Sequence, residues 1–114
     1  MAAVYVNNLI INSGSDFSQS FTLEGNDSNS TFDLTNYTVS SQMRKWAGSS
    51  SYVTFSAEIV QPPTEGQIVL ILTSNQTKQL KAGRYIYDVV ITDNYGIKNR
   101  VIEGNVLVRE GATQ

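Results

Sequence analysis

Residues 80–92, Leu-Lys-Ala-Gly-Arg-Tyr-Ile-Tyr-Asp-Val-Val-Ile-Thr, carry the longest clean alternation in the chain. Tyr85, Tyr87, Val89 and Ile91 fall on one face and Arg84, Ile86, Asp88, Val90 and Thr92 on the other, the period of two that a β-strand requires. The second face is still partly apolar through Ile86 and Val90. This predicts a central strand, covered on both sides from within the domain or by a neighbouring molecule.

The remaining periodic segments tell a similar story. Residues 4–12 form a first extended segment broken by Asn7-Asn8, read as an edge strand or as an arm that docks on a neighbour. Phe17, Phe21 and Leu23 alternate with polar residues; Tyr37, Val39, Ser41 and Met43 alternate with Thr38, Ser40, Gln42 and Arg44; Val53, Phe55, Ala57 and Ile59 form a further inward face. Residues 67–73, Gln-Ile-Val-Leu-Ile-Leu-Thr, are apolar on both faces and predict a buried central strand. In the last strand, residues 97–109, Ile102, Gly104, Val106 and Val108 share a face, and Gly104 is read as a bulge. Residues 110–114 are a tail.

Turn chemistry punctuates these segments. Ser13-Gly14-Ser15-Asp16, Ala47-Gly48-Ser49-Ser50-Ser51, Gln61-Pro62-Pro63 and Asp93-Asn94-Tyr95-Gly96 are breakers, the last a hairpin turn with glycine at a positive-φ position. Residues 74–80 open on Ser74 as a helix cap and allow only one or two helical turns before Gly83, on a path from one sheet to the other. Seven strands, short loops and one short helical turn predict a single all-β domain over residues 1–114: an antiparallel, immunoglobulin-like β-sandwich, with a small jelly roll or barrel as the alternative. Leu80-x-x-Gly83-x-Tyr85 looks like the tyrosine corner of such sandwiches, where the hydroxyl bonds main chain a few residues upstream. Tyr85 is therefore expected to be structural.

Composition removes most chemistry. The chain has no cysteine, hence neither disulfides nor thiolate metal sites, and no histidine, the commonest general base and neutral metal ligand. No catalytic, cofactor-binding or metal-binding residues are assigned. Without a base, the serines of the loops are turn formers. Asp88 and Glu103 lie on strands joined by the residue 93–96 turn, and with Arg84, Lys98 and Arg100 they read as cross-strand ion pairs before they read as a glycosidase pair. A calcium loop using Asp27, Asn29 and Asp33 lacks the glycine and late glutamate of an EF-hand and is set aside for a solvated turn.

A net charge of −2 with both signs scattered offers no field for phosphate backbones, so nucleic acid is not expected as a partner. No apolar run approaches the ~20 residues of a membrane helix, and the first residues have no secretory pattern, which predicts a soluble protein made in a cytoplasm, away from membranes. The four glycosylation sequons, at Asn26, Asn29, Asn36 and Asn75, are accordingly attributed to Asn/Ser/Thr-rich composition. What remains is surface: Trp46, read first as a lid on the core edge and otherwise as a partner anchor, with Ile86, Val90 and Tyr95 as further partner-binding candidates.

Several stretches resemble small structural proteins of tailed bacteriophages: Phe21-Thr22-Leu23, Asp33-Leu34-Thr35-Asn36-Tyr37-Thr38, a strand ending in Arg44-Lys45, Gly83-Arg84-Tyr85-Ile86-Tyr87-Asp88, and Arg100-Val101-Ile102-Glu103-Gly104. The match spans nearly the whole chain and is similar also to the N-terminal immunoglobulin-like domain of phage baseplate upper proteins. It departs at Asn36, where the pattern has glycine and where asparagine tolerates positive φ. The resemblance implies a non-enzymatic virion component, made in the host cytoplasm and present in multiple copies, that contacts other virion proteins as a tail, baseplate or neck part or as a capsid decoration. A carbohydrate- or host-receptor-binding sandwich using Trp46, Tyr52 and Tyr95 as aromatic platforms is the alternative.

Overall fold

A computed structural model describes residues 5–25 and 31–112. Asp27 and Asn29 of the calcium reading, the sequon asparagines Asn26 and Asn29, and the ends of the chain lie outside the described residues.

The chain lays down β1 (Tyr5–Val6), β2 (Leu9–Asn12), β3 (Phe17–Thr22), β4 (Thr38–Arg44), β5 (Val53–Thr54), β6 (Ser56–Ile59), β7 (Gln67–Leu72), helix α1 (Ser74–Lys78), β8 (Gly83–Thr92) and β9 (Lys98–Arg109). One sheet runs β1-β9-β8-β4-β5, with β2 also on β9; the other is β3-β7-β6. These are two faces of an immunoglobulin-like β-sandwich, with β8 and β9 inside the larger sheet. A jelly roll or closed barrel does not describe this connectivity.

Among the described residues the seven predicted strands become nine because two of them are broken. β1 and β2 are one segment interrupted at Asn7-Asn8, and they pair within the domain, running parallel to β9 with Leu9 opposite Val106 and Ile11 opposite Val108. The sandwich is thus not wholly antiparallel. β5 and β6 are one extended stretch that leaves the larger sheet for the smaller at Phe55, whose N–H still bonds Ser41 O at 3.0 Å. The core lies between the sheets. Ile11, Leu23, Leu34, Ile68, Leu70, Leu72, Val89, Ile91 and Val106 are all but fully buried, and each contributes about 1.5–3 kcal/mol relative to exposure.

β8 presents the face its alternation predicts, with Tyr87, Val89 and Ile91 buried and Tyr85 packed at the core margin. β9 does not keep one alternation. Near the hairpin Val90 faces Arg100, yet one residue earlier Val89 faces Ile102, so Val101 is an extra residue and the bulge sits there rather than at Gly104. Val101 and Ile102 are consecutive and both buried.

Gly104 has a different reason. A Cβ placed on it would lie 2.1 Å from Asn7 O, so this is a close approach of main chain that any side chain would block. Beside it Asn7 N bonds Glu103 O at 3.0 Å, and Asn8 Oδ1 accepts from Asn105 N at 3.0 Å. The break between β1 and β2 is therefore bonded to β9 on both sides of the glycine.

At one end of the sandwich the connections are stitched together. Thr73, not Ser74, caps α1 and forms a reciprocal capping box with Gln76. Thr77 is fully buried; its Oγ1 accepts from Gly14 N at 3.0 Å and donates to Ser15 O at 2.8 Å, while Ser74 N bonds Asp16 Oδ1 at 2.7 Å. α1 does carry the chain from the smaller sheet to the larger. At the other end Asp93 Oδ1 accepts from the N–H groups of Tyr95 and Ile97, both at 2.9 Å, closing the β8–β9 hairpin.

Candidate binding face

Tyr85 Oη donates to the carbonyl of Lys81 at 2.6 Å, four residues upstream, and Leu80 packs against the core edge. Gly83 opens β8 at φ +144°, and the Lys45 ammonium lies 4.6 Å from the Tyr85 ring centroid. These contacts anchor the turn before β8. They leave the outer face of the larger sheet as the place where functional side chains gather.

That face is built from internal strands, so register fixes its layout. Gln42, Asp88 and Glu103 lie side by side across β4, β8 and β9, with Val6 of β1 beyond Glu103. Arg44, Ile86 and Asn105 form the next row. With Asn8 and Ala47 they line a groove of about 500 Å³.

Three of the four charges in the groove pair with one another, and the fourth, Arg44, is held by neutral groups. Arg100 Nε is 3.3 Å from Asp88 Oδ2 and its Nη1 3.7 Å from Glu103 Oε1. Arg44 Nη2 donates to Gln42 Oε1 at 2.9 Å, its Nη1 to Ser49 O, and its guanidinium lies 4.4 Å from the Tyr52 ring centroid. Asp88 and Glu103 are thus directly opposite, which counting out from the hairpin turn leaves open, and of the basic candidates it is Arg100 that forms the cross-strand pair, with Asp88, while also reaching Glu103 on its own strand. The partly exposed pairs are each worth a few tenths of a kcal/mol. The Val101 bulge makes this arrangement: continuing the hairpin register without it would set Asp88 opposite Ile102.

The aromatic candidates do not converge. Trp46 is 64% exposed, which overturns its reading as a core lid, and Tyr52, on the same β4–β5 connection, is 54% exposed. Tyr95 is 84% exposed but sits in the β8–β9 turn, beyond the Thr38–Thr92 pair, whereas Trp46 follows the Arg44–Ile86 pair at the opposite end of β8. A platform using all three is ruled out by about 20 Å of strand. Of the apolar candidates, Ile86 is half-buried in the groove, and Val90, also half-buried, lies on the same face beyond Asp88, toward the hairpin and outside the groove lining.

Among the described residues no group of three acidic, histidine or cysteine side chains could hold a metal. Asp33 Oδ1 instead accepts both the hydroxyl and the N–H of Thr35; these bonds hold its carboxyl below the usual carboxylate range, the hydroxyl contributing most. Asn36 adopts φ 65°, the conformation its place in the turn asked for.

Reading the residues one strand at a time did not single out Gln42, Arg44 or Asn105. Gln42 and Arg44 were visible as the polar side of β4; that they share a row with Asp88 and Ile86 depends on pairing across 40-odd residues of sequence.

No family model and no curated protein matches the chain. Among solved structures it is similar to an internalin-like protein of Listeria monocytogenes, at 14% identity and a TM-score of 0.42 over 95% of this chain. It spans 28% of that protein's length. It is also similar to the PKD domain of human KIAA0319, at 18% identity and a TM-score of 0.40, covering 99% of this chain and 89% of that domain.

Proposed function

We propose that this chain is a non-enzymatic structural module of a tailed-bacteriophage particle, made in the host cytoplasm and incorporated in multiple copies through contacts with other virion proteins. The observation that carries the reading is the set of phage-like stretches and what they do in the fold. Gly83 to Asp88 supplies the Lys81–Tyr85 anchor and the centre of β8. Arg100 to Gly104 supplies the ion pair, the bulge and the glycine seat for Asn7 in the break between β1 and β2. Asn36 turns the chain into β4, and Arg44-Lys45 ends that strand against Tyr52 and Tyr85.

The resembling residues are framework residues. A module whose shared features preserve a rigid sandwich suits repeated assembly through its surface. Tail, baseplate, neck and capsid decoration are the positions the reading covers. Sedimentation of purified particles, followed by immunodetection of this chain, tests it: the protein should co-sediment with intact virions at a fixed stoichiometry. Its absence from washed, intact particles overturns the proposal. Labelled particles imaged by electron microscopy then assign head or tail.

A further inference from the structure

The groove on the outer face of the larger sheet has a chemistry of its own. We infer that it binds a neutral saccharide, with Gln42, Asp88, Glu103 and Asn105 bonding the hydroxyls and Tyr52 and Ile86 meeting the C–H faces of the ring. This goes beyond the virion reading and does not depend on it.

Charge selects a neutral ligand. Arg100 is shared between Asp88 and Glu103, and Arg44 is held by Gln42, Ser49 O and the Tyr52 ring. An incoming phosphate or sulfate meets two carboxylates, and a cation meets two guanidinium groups. The two carboxylates and two guanidinium groups sum to zero, so the groove's net field favours neither sign.

Strand pairing selects against an extended peptide. β8 and β9 are paired on both sides, and β4 meets β5 at Gln42 and Met43, in the rows of the groove, so the main chain under the groove leaves little ladder edge for a further strand. A ligand in this groove is recognised through side chains. Those side chains mix acceptors and donors: Asp88 and Glu103 follow Gln42 along one row, Asn105 stands next to Glu103 in the following row, and Gln42 Oε1 is already taken by Arg44, which leaves its amide hydrogens for a ligand. Vicinal hydroxyls, each able to donate and accept, fit that pattern. The volume, about 500 Å³, is within the ~300–1,000 Å³ of small-molecule sites. Arg44, which lines the groove and is fixed by three contacts, holds the exposed Tyr52 ring against its guanidinium and spares the ordering cost of binding.

The chain has a single tryptophan, Trp46, adjacent to groove-lining Ala47, so its emission reports on this site. The full chain is titrated with chitotriose, maltotriose, mannotriose and rhamnose, and with a sulfated trisaccharide as the anionic comparison, while amide shifts are followed by NMR. The expected result is saturable binding of at least one neutral sugar, on the order of 1 mM for so open a site, with shifts centred on Gln42, Ile86 and Asn105. Gln42→Ala and Tyr52→Ala each weaken it about 10-fold or more at unchanged melting temperature, and Tyr95→Ala does not alter it. Absence of saturable shifts for all four neutral sugars overturns the inference, as does preference for the sulfated one or a shift map elsewhere on the fold. Loss of particle incorporation in Gln42→Ala and Tyr52→Ala without any sugar response also overturns it, assigning the groove to a protein neighbour. Binding with incorporation intact sustains it whether or not the virion reading survives.

Discussion

Tyr87 donates its phenolic hydrogen to the main-chain carbonyl of Asn7, 2.6 Å away and 80 residues earlier in the chain. Its cross-strand neighbour is Gly104, over which a side chain would collide with that same carbonyl. The bond and the missing side chain together seat the break between β1 and β2 on the larger sheet. Leu9 and Ile11 then enter the core.

Gly104→Ala is expected to destabilise the fold by about 1–3 kcal/mol, since the added methyl meets main chain rather than a pliable side chain. Chemical denaturation measures the loss. Hydrogen exchange should show the amides of Leu9–Asn12 losing protection before those of β7; equal loss in both would mean that the glycine does not act through the arm.

Tyr87 also gives the fold an alkaline limit. Burial pushes its phenol above the ordinary value of 10.0. As pH rises past 10 the unfolded chain releases this proton while the folded chain keeps it, so stability falls with rising pH, by at most about 1.4 kcal/mol per pH unit from this group. Melting followed from pH 8 to 11 should show a slope that Tyr87→Phe reduces. The substitution also removes the bond to Asn7, and at pH 8 it should cost about 1 kcal/mol.

Tyr85→Phe tests the anchor at Lys81. One hydrogen bond is lost at the margin of the core, for an expected cost of about 1 kcal/mol. Unaltered melting would deny the corner a stabilising role.

Thr77→Val keeps the shape of a fully buried side chain and removes the hydroxyl that serves Gly14 N and Ser15 O. Leaving those groups without partners should cost about 1–3 kcal/mol. Thr77→Ser should recover most of it, which separates the hydrogen bonds from packing.

Trp46→Ala should change stability by no more than about 0.5 kcal/mol, as for other exposed side chains away from caps and cores. The wild-type emission should be that of a solvated indole and should be quenched readily by acrylamide. A shielded, blue-shifted emission would contradict its exposed position.

Much of the framework was legible strand by strand. The alternation of Tyr85, Tyr87, Val89 and Ile91 placed β8 and its buried face, and Pro62-Pro63, Asp93 to Gly96 and Asn36 marked turns where the chain does turn, because those residue types act on their own main chain. Trp46 was misplaced because an aromatic ring is usually mostly buried, and its neighbours in sequence do not say how far a loop stands off the core.

The sequence by itself determined the strand periods, the turns and the absence of thiol and imidazole chemistry, since each of these is a property of residues close together in the chain. Tertiary structure alone decided the rest. Val101 as the extra residue brought Glu103 opposite Asp88, Gly104 became the seat of a carbonyl from the other end of the chain, and the residues 5–12 segment paired parallel to β9. Register and close approach are relations between distant segments, and a one-residue bulge reverses which side chains share a face.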